Sequence, residues 1–176
     1  MYSDHELMRM TGQGDVRAFE QLVLRYQDQV WRLVYRFINN KSDAEELAQE
    51  SFLKIFRTAG KYKPSAQFST FLYRVVVNTC LDHTRRKKTN QDLGEHTDEN
   101  PLPFEVVENR ERKDAVQRSL RVLPERQKMA VVLYYFEDFS FREIADHLDT
   151  TPKGIERLLA RARRTLEKRL KNFLPD

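Results

Sequence analysis

Cysteine is almost missing from this chain. Cys80 is the sole one, so no intrachain disulfide can form and a reducing compartment suits the protein. Glycine is scarce at five residues and tryptophan occurs once, with long stretches free of proline. That composition argues against a β-sandwich or barrel and for helices. No apolar run approaches the ~20 residues that span a bilayer. The opening segment MYSDHELMRM is charged and has no apolar signal core. Membrane insertion is therefore not expected, and the cytoplasm is the expected compartment. Catalytic constellations are missing too. His5, His83, His96 and His147 are scattered, with neither a Gly-rich phosphate loop nor a Cys/His metal spacing. No enzyme activity, cofactor or resident metal is expected.

What is present is charge and helical periodicity. The chain has 176 residues, 40% hydrophobic and 33% charged, enough for one domain or two small ones with modest cores. Its net charge of +4 is small, so distribution matters more than sum. Ser3 with Glu6 and Ser42 with Glu45 fit the capping-box pattern at helix starts, and Asp15 can cap a helix from Val16 to about Ile38. Further helices are expected from Asp43 to about Ala59 and, past the loop KYKPSAQ, from Phe68 to about Lys88. From Thr89 to Glu111 the chain turns acidic, with seven acidic residues against one arginine, plus Gly94, Pro101 and Pro103. So little apolar material cannot pack, and residues 89–104 read as a flexible linker. Helices resume from about Glu105 to Val122, Glu125 to Glu137, Phe141 to Leu148 and Pro152 to Phe173. The expected fold class is all-α: two small helical domains, 1–88 and 105–176, joined by an acidic linker.

The last two helices have the spacing of a helix-turn-helix. Ser140 with Glu143 makes a capping box, and Thr151 before Pro152 is a cap followed by a favoured first residue. Phe141, Ile144, Ala145 and Leu148 form the apolar face of the first helix. Ile155, Leu158, Leu159, Ala162, Leu166 and Leu170 form that of the second. On the polar side Arg157, Arg161, Arg164 and Lys168 stack into a basic stripe, with Lys153 and Glu156 in the first turns. Arginine can donate two hydrogen bonds to guanine, and glutamate can accept one from cytosine. A solvated basic face is the bland alternative, but the short turn, the caps and the stripe together favour DNA contact. About five phosphate contacts would give a log–log salt slope near −4.5, a loss of roughly 500-fold between ~50 and 200 mM salt. A lone helix pair should bind weakly.

The first domain offers a second basic helix. In FSTFLYRVVVNTCLDHTRRKK, Phe68, Phe71, Leu72, Val75, Val76 and Thr79 share a face that looks like core. Arg74, Asn78, Asp82 and Arg85 share another, and Arg86, Lys87 and Lys88 close the segment. Basic residues near a helix C-terminus are stabilising in any case. Tyr62, Phe68 and Tyr73 surround the Pro64 loop and could stack on unpaired bases or simply be core; spacing does not decide. The preceding helix, DAEELAQESFLKIF, directs Asp43, Glu46, Glu50 and Leu53 outward. An acidic stripe repels DNA, so this surface should face water or a protein, and charge alone favours solvent.

Taken in order, DAEELAQESFLKIF, FSTFLYRVVVNTCLDHTRRKK and LPERQKMAVVLYYFEDFSFREIADHLDTTPKGIERLLARARRTL resemble a bacterial sigma factor of the sigma-70 family, nearest to the two-domain extracytoplasmic-function (ECF) group. The resemblance covers nearly the whole chain except the linker. It implies a transcription initiation factor that binds core RNA polymerase, reads the −10 and −35 promoter elements and helps melt the former. Residues 1–88 would be the region 2-like domain and 105–176 the region 4-like domain. The acidic helix is then implied to meet the clamp of the largest catalytic subunit through Asp43, Glu46, Gln49, Glu50 and Leu53, which overturns the solvent reading from charge. Tyr62, Phe68, Tyr73, Arg74, Asn78, Asp82, Arg85 and Arg86 are implied at single-stranded −10 DNA, with the Pro64 loop as a base pocket. Lys153, Glu156, Arg157, Ala160, Arg161 and Arg164 are implied at duplex −35 DNA. Further implied partners are the flap of the second-largest subunit and an anti-sigma factor that holds the protein inactive until a stress signal. Phe71 stands where the family usually has tryptophan, an aromatic replacement that should preserve packing. A linker of some 16 residues reaches at most ~50 Å when extended, which suits two readers on neighbouring promoter elements.

Two other classes fit parts of the pattern. A conventional helix-turn-helix regulator would bind a duplex operator unaided, with salt-sensitive specificity. A protein-interaction module would have its basic faces masked by a partner.

Overall fold

The computed structural model describes residues 2–90 and 107–171, with side chains over 2–89 and 114–171. Among the described residues there are eight α-helices, one 3-10 turn and no strand. The chain divides into two compact units, residues 1–90 and 91–176. Most of the acidic segment expected as a linker lies outside the described residues, although Thr89 and Asn90 still belong to a helix.

The first unit contains α1 (Asp4–Gly12), α2 (Val16–Ile38), α3 (Lys41–Thr58), the 3-10 turn Ala59–Lys61, and α4 (Phe68–Asn90). Local chemistry sets most of the boundaries. Ser3 and Glu6 form the reciprocal capping box of α1, and the Asp15 carboxylate accepts from the backbone N–H groups of Arg17 and Ala18 to start α2. The start of α3 differs from the Ser42–Glu45 expectation. Asn39 takes a left-handed conformation (φ 57°) that ends α2, and Asn40 at once caps α3 by accepting from Asp43 N–H. A connection this short leaves no room for a cap at Ser42, which is already inside the helix.

Helix α2 is the spine of this unit and packs against α1, α3 and α4; α3 also packs on α4. Leu22, Leu33, Val34 and Phe37 from α2 meet Leu47 and Ile55 from α3, and Leu72, Val76 and Cys80 from α4, all fully or almost fully buried. One close approach is backbone to backbone. A Cβ built on Gly12 would stand 2.7 Å from the Ala59 carbonyl oxygen, so only glycine lets the end of α1 lie on the 3-10 turn. Gly12→Ala is expected to push the two apart and destabilise this unit by about 1–3 kcal/mol. Its single tryptophan, Trp31, reports the effect: the fluorescence melting transition should fall measurably. An unchanged transition would mean the contact relaxes freely.

The second unit contains α5 (Val107–Arg121), α6 (Glu125–Tyr135), α7 (Phe141–His147) and α8 (Pro152–Leu170). Helix α6 buries Met129, Ala130, Val131, Val132 and Leu133 in succession, as a helix enclosed on all sides must. It ends at Tyr135, two residues short of the Glu137 expected, and Asp138 turns the chain with φ 54°. Helix α8 packs against α5, α6 and α7, burying Ile155, Leu159 and Ala162. The outer side of α8 is thus left for its arginines.

Candidate nucleic-acid interface

The α7–α8 pair is held by a dense set of local bonds. Ser140 and Glu143 form a reciprocal capping box, with the Ser140 hydroxyl donating to Glu143 at 2.6 Å. Those hydrogen bonds from Ser140 hold the Glu143 carboxyl below its ordinary range, against a small opposing effect of burial. Asp149 supplies a left-handed residue (φ 47°) in the turn, and Thr150 N–H donates back to Ala145. Thr151 caps α8 by accepting from Gly154 N–H, with Pro152 at the first helical position. A Cβ on Gly154 would fall 2.6 Å from the Thr150 hydroxyl, so glycine lets the turn fold onto the helix start. From outside the pair, Arg126 donates to the Leu148 carbonyl at 2.5 Å and closes the end of α7. The α8 entry angle is therefore fixed by several independent contacts.

That geometry exposes Lys153, Glu156, Arg157, Ala160, Arg161 and Arg164. Lys153 donates to Glu156 at 2.8 Å, and this bond draws the Glu156 carboxyl below its usual value. Arg163, by contrast, turns to a different side and donates to the Tyr135 hydroxyl at 2.7 Å. It is a tie between α8 and α6 that periodicity alone assigned no role.

In the first unit, Arg74, Asn78, Asp82, Arg85 and Arg86 are exposed along α4, with Arg85 and Asp82 3.7 Å apart. Two of the expected base-stacking aromatics are not there. Phe68 is 3% exposed and Tyr73 is 7% exposed, so neither ring can meet a base; both are corrected to core. The reason is α2: Phe68 lies 5.5 Å from Tyr26, and the Tyr73 hydroxyl points to Gln29 at 3.5 Å. Tyr62 is half-buried. Its hydroxyl is bonded to His5 Nδ1 at 2.9 Å, and its ring lies 5.1 Å from Phe71. Burial, with the Asp4 charge nearby, raises its phenol above the ordinary value.

The acidic stripe of α3 also divides. Glu46, Gln49 and Leu53 are exposed, and Phe56, unremarked in the sequence, extends that face. Asp43 and Glu50 instead lie half-buried against the basic end of α4. Asp43 is 3.1 Å from Lys87 and 3.7 Å from His83; Glu50 is 2.9 Å from Lys54 and 3.5 Å from Arg86. The Lys54 hydrogen bond is the main cause that holds Glu50 below the ordinary carboxylate range; burial opposes it and Arg86 adds to it. The expected outward stripe of four thus has two members engaged within the unit. Among the described residues no group of acidic, His or Cys side chains could hold a metal, and no helix is long and apolar enough to cross a membrane.

The described residues thus form two helical units, one with a basic outer helix beside an acidic one and the other with a capped helix-turn-helix. Residues 22–89 match Sigma-70 region 2, and residues 113–166 match Sigma-70, region 4. The chain is 30% identical over 186 residues to RNA polymerase sigma-H factor of Pseudomonas aeruginosa, covering 98% of this chain and 96% of that one. It is 34% identical over 168 residues to ECF RNA polymerase sigma factor SigM of Mycobacterium tuberculosis, covering 96% and 85%. The fold is similar to the sigma factor RpoE solved with the anti-sigma factor NepR from Bartonella quintana. There the TM-score is 0.70 and the identity 19%, over 89% of this chain and 98% of that one. The chain belongs to the sigma-70 family, in its extracytoplasmic-function group. It is a transcription initiation factor that binds core RNA polymerase and directs it to promoters.

Proposed function

We propose a division of that work between the two units, residues 1–88 and 105–176. In the first, the outward face of α3 meets the clamp of the largest polymerase subunit through Glu46, Gln49 and Leu53, with Asp43 and Glu50 at its edge. Helix α4 meets the melted −10 strand through Arg74, Asn78, Asp82, Arg85 and Arg86, and Tyr62 borders the base pocket beside the Pro64 loop. In the second unit, α8 enters the −35 major groove with Lys153, Glu156, Arg157, Ala160, Arg161 and Arg164. The same unit contacts the flap of the second-largest subunit. The protein works in the cytoplasm and is held inactive by an anti-sigma factor until a stress signal, a reading supported by the likeness to RpoE solved with NepR.

One observation carries the reading: exposed arginines on α8, one turn behind a tightly capped four-residue connection. The test is transcription by purified core RNA polymerase with the full chain over a genomic promoter library. Promoter-specific initiation is expected. A protein that footprints an operator alone and activates no promoter would sink the reading. Arg161→Ala should lower discrimination at one −35 position about tenfold, since a good bidentate contact to a base contributes about 1–3 kcal/mol. An unchanged −35 profile would remove α8 from the groove.

A further inference from the structure

Lys54, to which neither charge pattern nor resemblance assigned a role, stands at the junction of α3 and α4. Its ammonium donates to the Thr79 hydroxyl oxygen on α4 at 3.1 Å and lies 2.9 Å from Glu50 Oε1, one turn back on α3. Thr79 is fully buried, and its own hydroxyl proton goes to the Val75 carbonyl at 2.8 Å, so its oxygen is left to accept. The ammonium is thus seated between a fixed acceptor on one helix and a carboxylate on the other. Glutamate four residues before lysine is also the favoured order for such a pair along a helix.

The same carboxylate oxygen faces Arg86 from α4. Arg86 Nη2 stands 3.5 Å from Glu50 Oε1, and its side chain is 62% exposed. A close charge-assisted bond would measure about 2.7–2.9 Å. Lys54 therefore holds the carboxylate, and Arg86 is drawn to it only loosely. Without Lys54, the Arg86 guanidinium would close onto Glu50. An arginine paired tightly with a carboxylate presents less net charge to a phosphate.

The geometry points to Lys54 as a positioning residue for promoter binding: it occupies Glu50 and so keeps Arg86 available to DNA. This inference rests on the reading that Arg86 meets the −10 strand.

The experiment measures how tightly holoenzyme binds a promoter fragment pre-opened by mismatches across the −10 element. Holoenzyme is assembled from core RNA polymerase with the full chain in excess, and Trp31 fluorescence melting confirms that each variant folds. Lys54→Met keeps the apolar stem and removes the charge. It is expected to weaken binding about threefold, the scale of one exposed ion pair, with the loss fading at high salt. Combined with Glu50→Gln, the same substitution should cost nothing, because no carboxylate remains to claim Arg86. Combined with Arg86→Ala it should also cost nothing. Lys41→Met removes the same charge from an exposed position on α3 and should have a much smaller effect. Should Lys54→Met lower the melting transition, Lys54→Gln, neutral but still able to donate to Thr79, takes its place with the same expected results.

An equal loss with and without Glu50→Gln would mean that Lys54 acts through Thr79 as a structural tie, and would overturn the proposal. Equal losses for Lys54→Met and Lys41→Met would reduce the effect to overall charge and overturn it too. If Arg86→Ala weakens binding while Lys54→Met does not, the proposal falls and the −10 reading stands. If Arg86→Ala itself leaves binding unchanged, Arg86 does not meet the strand, and both fail.

Discussion

Leu159→Ala is expected to destabilise the C-terminal unit strongly, and so to lower promoter-directed transcription, while leaving the N-terminal unit intact. Leu159 is 1% exposed and lies on α8, which packs against α5, α6 and α7. Truncating a fully buried leucine costs about 2–5 kcal/mol, the spread depending on how far the neighbours collapse. A small unit with a modest core has total stability of about 5–15 kcal/mol, so this is a large fraction of it. The neighbouring Ala160 and Arg161 are exposed, and their substitution should leave the fold untouched. Circular dichroism of the variant should lose helix at temperatures where the parent keeps it. Trp31 fluorescence, which reports the first unit, should melt as before. If both signals are unchanged, α8 does not hold its unit together as its burial indicates.

Helix starts were readable where the cap is local. Ser3, Asp15, Ser140 and Thr151 each satisfy N–H groups two or three residues ahead, and a side-chain pattern suffices to find them. The start of α3 was misread because the Asn39–Asn40 connection works through a left-handed backbone, which the Ser42–Glu45 pattern does not register. The outer face of α8 was equally readable, since one amphipathic helix fixes which side is wet. Pairings between distant elements were not. Periodicity put Phe68 on the core face of α4 and left Tyr73 unassigned, and the packing of α2 helps bury both. The same holds for the ions: nothing in the order of residues brings Lys87 to Asp43, or Arg86 to Glu50. Nor does any local pattern contain the contact of His5 with Tyr62, 57 positions away.

Those ion pairs change how the acidic helix should be tested. Glu46→Lys alters an exposed side chain on α3 and is expected to weaken core polymerase binding about 10- to 100-fold. A reversed charge in a complementary interface sets like charges together, which costs several kcal/mol. The Trp31 melting transition should not move. Glu50→Lys should weaken polymerase binding too, but it also sets a new cation beside Lys54 and Arg86. Losing surface pairs of this kind costs about 0–1 kcal/mol, and 1 kcal/mol lowers the melting temperature of a unit this size by about 4–8 °C. Its transition should therefore fall. Adding Arg86→Glu to Glu50→Lys restores an opposite-charge pair across α3 and α4. The double variant should recover the melting temperature and not the polymerase affinity, measured by competition for core enzyme. Recovery of both would mean that Glu50 acts by holding α4 in position and does not itself touch the polymerase. Glu46, Gln49 and Leu53 would then carry the contact, and the half-buried carboxylates would serve to hold α4 behind them.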